Sequence, residues 1–202
     1  MIVAIEGASA AGKTTWCRSH APERSVPEAP EEIAAPDLFA DPTDVGQFWV
    51  NRAVETWQKA LAIERQHGLA FCDGDPFHLY YSWALWKSGA LSGKLFEIES
   101  ALYGSALEEE QVGFVEHVLW LEVPEDELRR RAADDATRRR KRHEMYLGLV
   151  PWMKAWFQER ERLLPGSVRG LTDSLVVEDL PVPSRVFRYD VRVMDKLVDG
   201  LR

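Results

Sequence analysis

Met1-Ile2-Val3-Ala4-Ile5-Glu6-Gly7-Ala8-Ser9-Ala10-Ala11-Gly12-Lys13-Thr14-Thr15 is the stretch whose reading decides the fold. Residues 2–6 form a short apolar run ended by glycine, the pattern of a strand buried on both faces, and residues 13–20 read as a helix. Between them Gly7 to Thr14 fits G-x-x-x-x-G-K-[ST]. Glycines let such a loop curl until successive N–H groups point at a phosphate chain, and the start of the following helix adds the positive end of its dipole. Lys13 neutralises β- and γ-oxygens, and the Thr14 hydroxyl faces Mg²⁺. The pattern arises by chance in about one chain in a hundred of this length. A plain glycine-rich turn, the alternative, does not call for a strand before it and a helix after it. Gly7, Ala8, Ser9, Ala10, Ala11, Gly12, Lys13, Thr14 and Thr15 are therefore expected to hold ATP, with Thr14 on the metal.

Outward from this loop, residues 21–40 contain Pro22, Pro27, Pro30 and Pro36 and read as loop, with a short strand at 25–27. Asp41-Pro42-Thr43-Asp44 supplies an N-cap, a proline at the first helical position and an acidic first turn; Gly68 supplies a stop, which predicts a helix over 42–67. A strand at 69–72, helices from Asp75-Pro76 to about 87 and over about 94–111, a strand at 117–123 and a helix from Glu125 follow. A helix over about 144–164, a last strand at 174–177 and a helix over about 184–198 complete the chain. Strands apolar on both faces and separated by helices imply an α/β, three-layer architecture, a P-loop NTPase fold with about five parallel strands. In such sheets ligands sit at the carboxyl ends of the strands, where Gly7, Glu28, Asp73 and the segment after Val123 converge.

The 202 residues suit one domain with an inserted lid at about 129–143, and 46% apolar residues suffice for a core. A net charge of -8 argues against nucleic acid and anionic membranes as partners. No basic leader or long apolar span is seen, and Cys17 and Cys72 lack metal-ligand spacing, which points to a soluble, cytoplasmic protein with two reduced thiols.

Ile5-Glu6-Gly7 with Ala10-Ala11-Gly12-Lys13-Thr14-Thr15 resembles the opening of the deoxynucleoside kinases, with the thymidylate kinases close behind. Phe39-Ala40-Asp41-Pro42 before a long aromatic helix resembles that family's substrate-side helix. Pro124-Glu125 with Leu128, Arg130 and Arg131 resembles the approach to its arginine-rich lid, and Tyr146-Leu147 with Trp156 continues the similarity. These stretches touch about half of the chain, and only the phosphate loop is a specific motif. The resemblance implies a P-loop kinase. It also implies that Glu28, after the second strand, acts as base toward the acceptor hydroxyl; a solvated acidic loop with Glu23, Glu31 and Glu32 is the other reading. The family has an acidic residue and then arginine after its third strand, where this chain has Asp73-Gly74-Asp75, so the acceptor stays open.

Asp73, at a strand end, is placed to hold the Mg²⁺ shell or to accept a hydroxyl proton. Asp75 precedes proline and reads either as a helix cap or as a substrate or metal ligand. Arg129, Arg130, Arg131, Arg138, Arg139, Arg140, Lys141 and Arg142 concentrate eight basic residues in an acidic chain. A closing lid that delivers arginines to the transferring phosphoryl group accounts for them, with Arg131 and Arg138 to Arg140 as the best candidates; a solvated helical face partly neutralised by Asp134 and Asp135 is the alternative.

Phe48, Trp49, Trp57, Phe77, Tyr80, Tyr81, Trp83 and Trp86 would either stack on a planar acceptor, with Gln47, Asn51 and Arg52 adding polar readout, or pack as core. Their helices, together with the resemblance, suggest a homodimer. The chemistry that follows is transfer of the γ-phosphate of ATP, with Mg²⁺, to a hydroxyl or phosphate of a small molecule. A nucleoside or nucleotide is the leading acceptor and an antibiotic or other metabolite the alternative. A nucleotide-gated regulatory module is the competing reading from another class.

Overall fold

In the computed structural model the described residues are 1–27, 35–135, 142–172, 175, 180–181 and 187–201. Five parallel strands, β1 (Ile2–Gly7), β2 (Ser25–Val26), β3 (Ala70–Asp73), β4 (His117–Leu121) and β5 (Val168–Gly170), form one sheet in the order β2-β3-β1-β4-β5. The helices are α1 (Lys13–His20), α2 (Pro42–His67), α3 (Leu79–Lys87), α4 (Lys94–Glu108), α5 (Glu125–Asp134), α6 (His143–Leu163) and α7 (Val191–Gly200).

β1 is buried along its whole length because both of its faces are covered. Ile2 and Ala4 point, with Cys72, Val118 and Trp120, into a core that includes Trp57 of α2, Tyr80 and Trp83 of α3, Tyr103 and Leu107 of α4, Trp156 of α6 and Leu197 of α7. Val3 and Ile5 point the other way, with Phe71 and Leu119, onto Cys17 and Ala21 around α1. This alternation makes the three layers, since successive strand residues face opposite sides of a sheet.

α2 begins and ends on the expected signals. The Asp41 carboxylate accepts the Thr43 N–H at 2.8 Å, Pro42 takes the first turn, and Gly68 stops the helix at φ 76° with its N–H on the Glu64 carbonyl. Two boundaries differ from expectation, and the expected last strand lies largely outside the described residues. Asp75-Pro76 does not open α3: the Asp75 carboxylate accepts the Phe77 N–H at 3.0 Å in a local turn, and α3 starts four residues later, after His78. β5 lies at 168–170, ahead of the apolar run at 174–177, which falls largely outside the described residues; a short edge strand with exposed Arg169 and Gly170 carries no apolar signal. α7 starts at Val191 behind Asp190, whose carboxylate accepts the Arg192 N–H at 3.0 Å; the expected start at about 184 is outside the described residues.

Among the described residues no helix is long and apolar enough to cross a membrane.

Candidate active site

The sheet places the carboxyl ends of β1 and β3 side by side, Ile5 paired with Asp73, and β1 next to β4, Gly7 paired with Leu121. From this edge the loop 8–12 leads into α1. Its shape depends on three residues in unusual backbone conformations: Gly7 at φ 150°, Ala10 at φ 71° and Gly12 at φ 103°. A Cβ on Gly7 would stand 2.8 Å from the Leu121 carbonyl oxygen, so the strand neighbour itself demands glycine. Ala10 holds a left-handed conformation that costs an L-residue about 1 kcal/mol or more, a form of strain that recurs at ligand sites. No side chain caps α1. Its first N–H groups therefore face the hollow of the loop, where an anion would find both donors and the dipole.

Lys13 bends over this hollow. Its Nζ donates to the carbonyls of Gly7 at 2.9 Å and Ala8 at 3.4 Å. Arg131 reaches in from α5, its Nη1 donating to the Ala11 carbonyl at 2.9 Å while its Nε is held by Glu127 at 2.7 Å. Helices α5 and α6 are packed on the same loop, with Ala8 and Ala11 against Leu128 of α5 and Leu147 of α6. Two cations thus stand at the loop, both resting on its backbone oxygens.

Beside the loop lies a cleft of about 170 Å³ lined by Thr14, Cys17, Arg18, Pro22, Ser25, Pro27 and Asp73. Thr14 and Asp73 therefore open onto one space, as the strand-end argument required. A hydroxyl and a carboxylate are hard oxygen ligands of the kind Mg²⁺ takes, with nucleotide phosphates and water completing its octahedron. Among the described residues no group of three or more His, Cys, Asp or Glu side chains could hold a metal. Cys17 and Cys72 are both free and buried, and burial pushes the Cys17 thiol up to about 12.

Below the cleft is a group of buried polar side chains. Glu6, 1% exposed, accepts hydrogen bonds from the Gly7 N–H at 3.2 Å, the Asp75 N–H at 2.6 Å and the Tyr80 hydroxyl at 2.7 Å. Asp75, also buried, pairs with Arg160 of α6 at 2.9 Å, and Arg160 in turn donates to the Val115 carbonyl at 2.6 Å. Burial lifts the Asp75 carboxyl to about 6 against the pull of the guanidinium, with the Glu6 charge adding to the rise. Of the two roles open to Asp75, the structure gives it neither: it is sealed under the site by Arg160.

The basic segment divides. Arg129 pairs with Glu125 and Glu144, Arg130 with Glu127 and Asp134, and Arg142 with Asp37 while lying over the Phe39 ring at 5.1 Å. Among the described basic residues of this segment only Arg131 touches the phosphate loop. Arg138, Arg139, Arg140 and Lys141 lie outside the described residues, as does Glu28.

The aromatic residues divide as well. Trp57, Phe77, Tyr80 and Trp83 are buried in the core, and Trp86 stacks on Phe96 at 5.6 Å. Half-buried rings make a row from α2 to α6: Trp49 to His78 at 5.8 Å, His78 to Tyr81 at 4.9 Å in a stack, and Tyr81 to Tyr146 at 6.0 Å, with Phe48 edge-on to Trp49. Gln47 bonds Asn51 and Arg52 bonds Glu55, each within α2. The sequence reading missed Glu6, Arg160 and His78. A charged residue in the otherwise apolar run Ile2-Val3-Ala4-Ile5-Glu6 was the available signal for the first.

No protein-family model and no curated protein sequence matches this chain. Solved structures do. A deoxyadenosine kinase from M. mycoides with bound dATP matches with a TM-score of 0.59 at 12% identity, covering 100% of this chain and 99% of its own. The same enzyme with the products dCMP and a flexible dCDP matches at 0.61, and with dCTP at 0.56, each at 12% identity over 99% of this chain and 100% of the other. The likeness is one of fold. It runs from end to end, so the five-stranded P-loop architecture, with helices on both faces, is common to both proteins.

Proposed function

We propose that this chain is an ATP- and Mg²⁺-dependent small-molecule kinase that passes the γ-phosphate to a hydroxyl or phosphate of a nucleoside or nucleotide. The observation that carries it is the convergence of Lys13, Arg131, Thr14 and Asp73 on one strained loop and its adjoining cleft. The end-to-end fold likeness to deoxyadenosine kinase structures supports the acceptor class. Two buried free thiols suit a reducing compartment, and we place the enzyme in the cytoplasm.

In this mechanism the N–H groups of loop 8–12 and the first turn of α1 bind the phosphate chain. Lys13 leaves the Gly7 and Ala8 carbonyls for the β- and γ-oxygens, and Arg131 leaves the Ala11 carbonyl to meet charge developing on the transferring group. Thr14 and Asp73 would hold Mg²⁺, which when bound neutralises the phosphate oxygens. Asp73, or Glu28 from the segment after β2, takes the acceptor proton, and the helices packed on Ala8 and Ala11 exclude water from above. The half-buried rings of Trp49, Tyr81 and Tyr146 offer flat surfaces to a planar acceptor.

The test is ATP-dependent phosphorylation across nucleosides, nucleoside monophosphates and hydroxyl-bearing antibiotics, with Lys13→Ala as the blank. Transfer to a nucleoside or nucleotide supports the proposal. Transfer only to an antibiotic or other metabolite corrects the acceptor, and nucleotide binding with no acceptor-stimulated turnover would favour a regulatory module.

A further inference from the structure

Glu6 is an ionisable side chain in the middle of an apolar layer, 1% exposed, and its three described hydrogen bonds come from the next residue at the end of β1, from the turn after β3 and from α3. A buried carboxylate is costly unless its lone pairs are satisfied, and an apolar residue at the end of a central strand would serve packing better. What distinguishes Glu6 is where its donors sit. The Gly7 N–H is the first donor of the phosphate loop. The Asp75 N–H lies two residues beyond Asp73, and the Tyr80 hydroxyl comes from α3, which carries Tyr81 of the aromatic row. Gly74, at φ 93°, turns the chain between Asp73 and Asp75, and a Cβ there would lie 3.6 Å from the Glu6 carboxylate.

We infer that Glu6 is a positioning residue: one carboxylate that sets the distance between the phosphate loop and Asp73, and so between the phosphoryl donor and the group that receives the acceptor's proton or holds the metal shell. This rests on the kinase assignment above. The carboxylate suits the task because all three partners are donors. Glutamine has the same shape but presents an NH₂ on one side. With its oxygen toward Asp75 and Tyr80, the NH₂ meets the Gly7 N–H donor to donor; flipped, it meets the Asp75 N–H instead. Either way one of the two loops is released. A displacement of about 1 Å in a reacting group costs about a hundredfold in rate.

The experiment compares wild type, Glu6→Gln and Tyr80→Phe in amide hydrogen exchange by NMR, thermal melting, and steady-state kinetics with ATP and the acceptor found by the screen. For Glu6→Gln the expected result is at least tenfold faster exchange at Gly7 or Asp75, and a kcat about a hundredfold lower per folded molecule. The KM for ATP should stay within about threefold, because Lys13 and the rest of the loop are untouched. A kcat per folded molecule equal to wild type overturns the inference and makes Glu6 a packing residue. If Glu6→Gln does not fold, Tyr80→Phe carries the test, since it removes one donor and leaves no clash. A several-fold loss of kcat with normal melting supports the positioning role, and an unchanged kcat overturns it. If wild type transfers phosphate to nothing, the kinase assignment fails on its own, and the loop tie is judged by exchange alone: unchanged protection at Gly7 and Asp75 in Glu6→Gln overturns it.

Discussion

Replacing Glu99 with glutamine should make this protein more stable, and by an amount that grows with pH. Glu99 sits on the inner face of α4, 3% exposed, with its Cγ where a Cβ on Gly46 of α2 would meet it at 3.3 Å. Ser82 of α3 is its hydrogen-bonding neighbour, and burial raises its carboxyl from 4.5 to about 8. The sign follows from proton binding. Between those two values the folded state holds a proton that the unfolded state has released, so stability is full below about pH 4.5 and is lost as pH rises toward 8. Each pH unit in that window is worth about 1.4 kcal/mol, giving a loss of about 3 kcal/mol at pH 7 and about 4 kcal/mol by pH 8, where the slope levels off. Glutamine keeps the shape and never ionises, so the Glu99→Gln protein escapes that slope. Urea unfolding of both proteins at half-unit steps from pH 5 to pH 8.5 reads the difference directly. All other groups titrate alike in the two chains, and differences in the hydrogen bond to Ser82 offset the curves without tilting them. The variant's advantage should widen by about 1.4 kcal/mol per pH unit. Parallel curves across this range would refute the reasoning.

Arg160→Met leaves Asp75 buried beside Glu6 without its guanidinium, and should cost about 3–5 kcal/mol at neutral pH by chemical denaturation, and less as the pH falls, because without the guanidinium Asp75 takes up its proton at a higher pH than in wild type. Gly7→Ala drives a methyl to 2.8 Å from the Leu121 carbonyl at a left-handed φ, so it should abolish detectable nucleotide binding in calorimetry while the rest of the sheet still folds. Asp73→Asn keeps the shape of the cleft and removes its carboxylate charge. Acceptor phosphorylation should fall by about a hundredfold or more, and ATP binding measured without Mg²⁺ should be nearly unchanged.

What was legible in the sequence was what local chemistry decides. The phosphate loop needs glycine at Gly7 and Gly12 and a cation at Lys13, and those residue types at that spacing have few other uses. The ends of α2 were equally plain because Asp41-Pro42 and Gly68 each act on the backbone beside them. Strand order could not be read, but the doubly apolar runs at 2–6 and 117–123 implied a parallel sheet, and one is what they form. At Asp75, tertiary contact overrode a local signal. Asp75 before proline looks like a helix cap in isolation, and is instead claimed by Arg160 from 85 residues away. Arg131 was among the basic residues singled out for the loop and does touch it, while Arg129 and Arg130 pair with carboxylates one helical turn away. The aromatic residues follow the core alternative for half of their number, Trp57, Phe77, Tyr80 and Trp83, because α2 and α3 each bury one side of a mixed aromatic surface.

The most direct test of the account is phosphoryl transfer itself. Wild-type protein, Mg²⁺ and γ-labelled ATP are incubated with each nucleoside and nucleoside monophosphate in turn, with Lys13→Ala in parallel. The account predicts label transferred to at least one of these acceptors, reduced about a thousandfold or more in Lys13→Ala. Tight ATP binding by wild type with no labelled acceptor from any of them would contradict it.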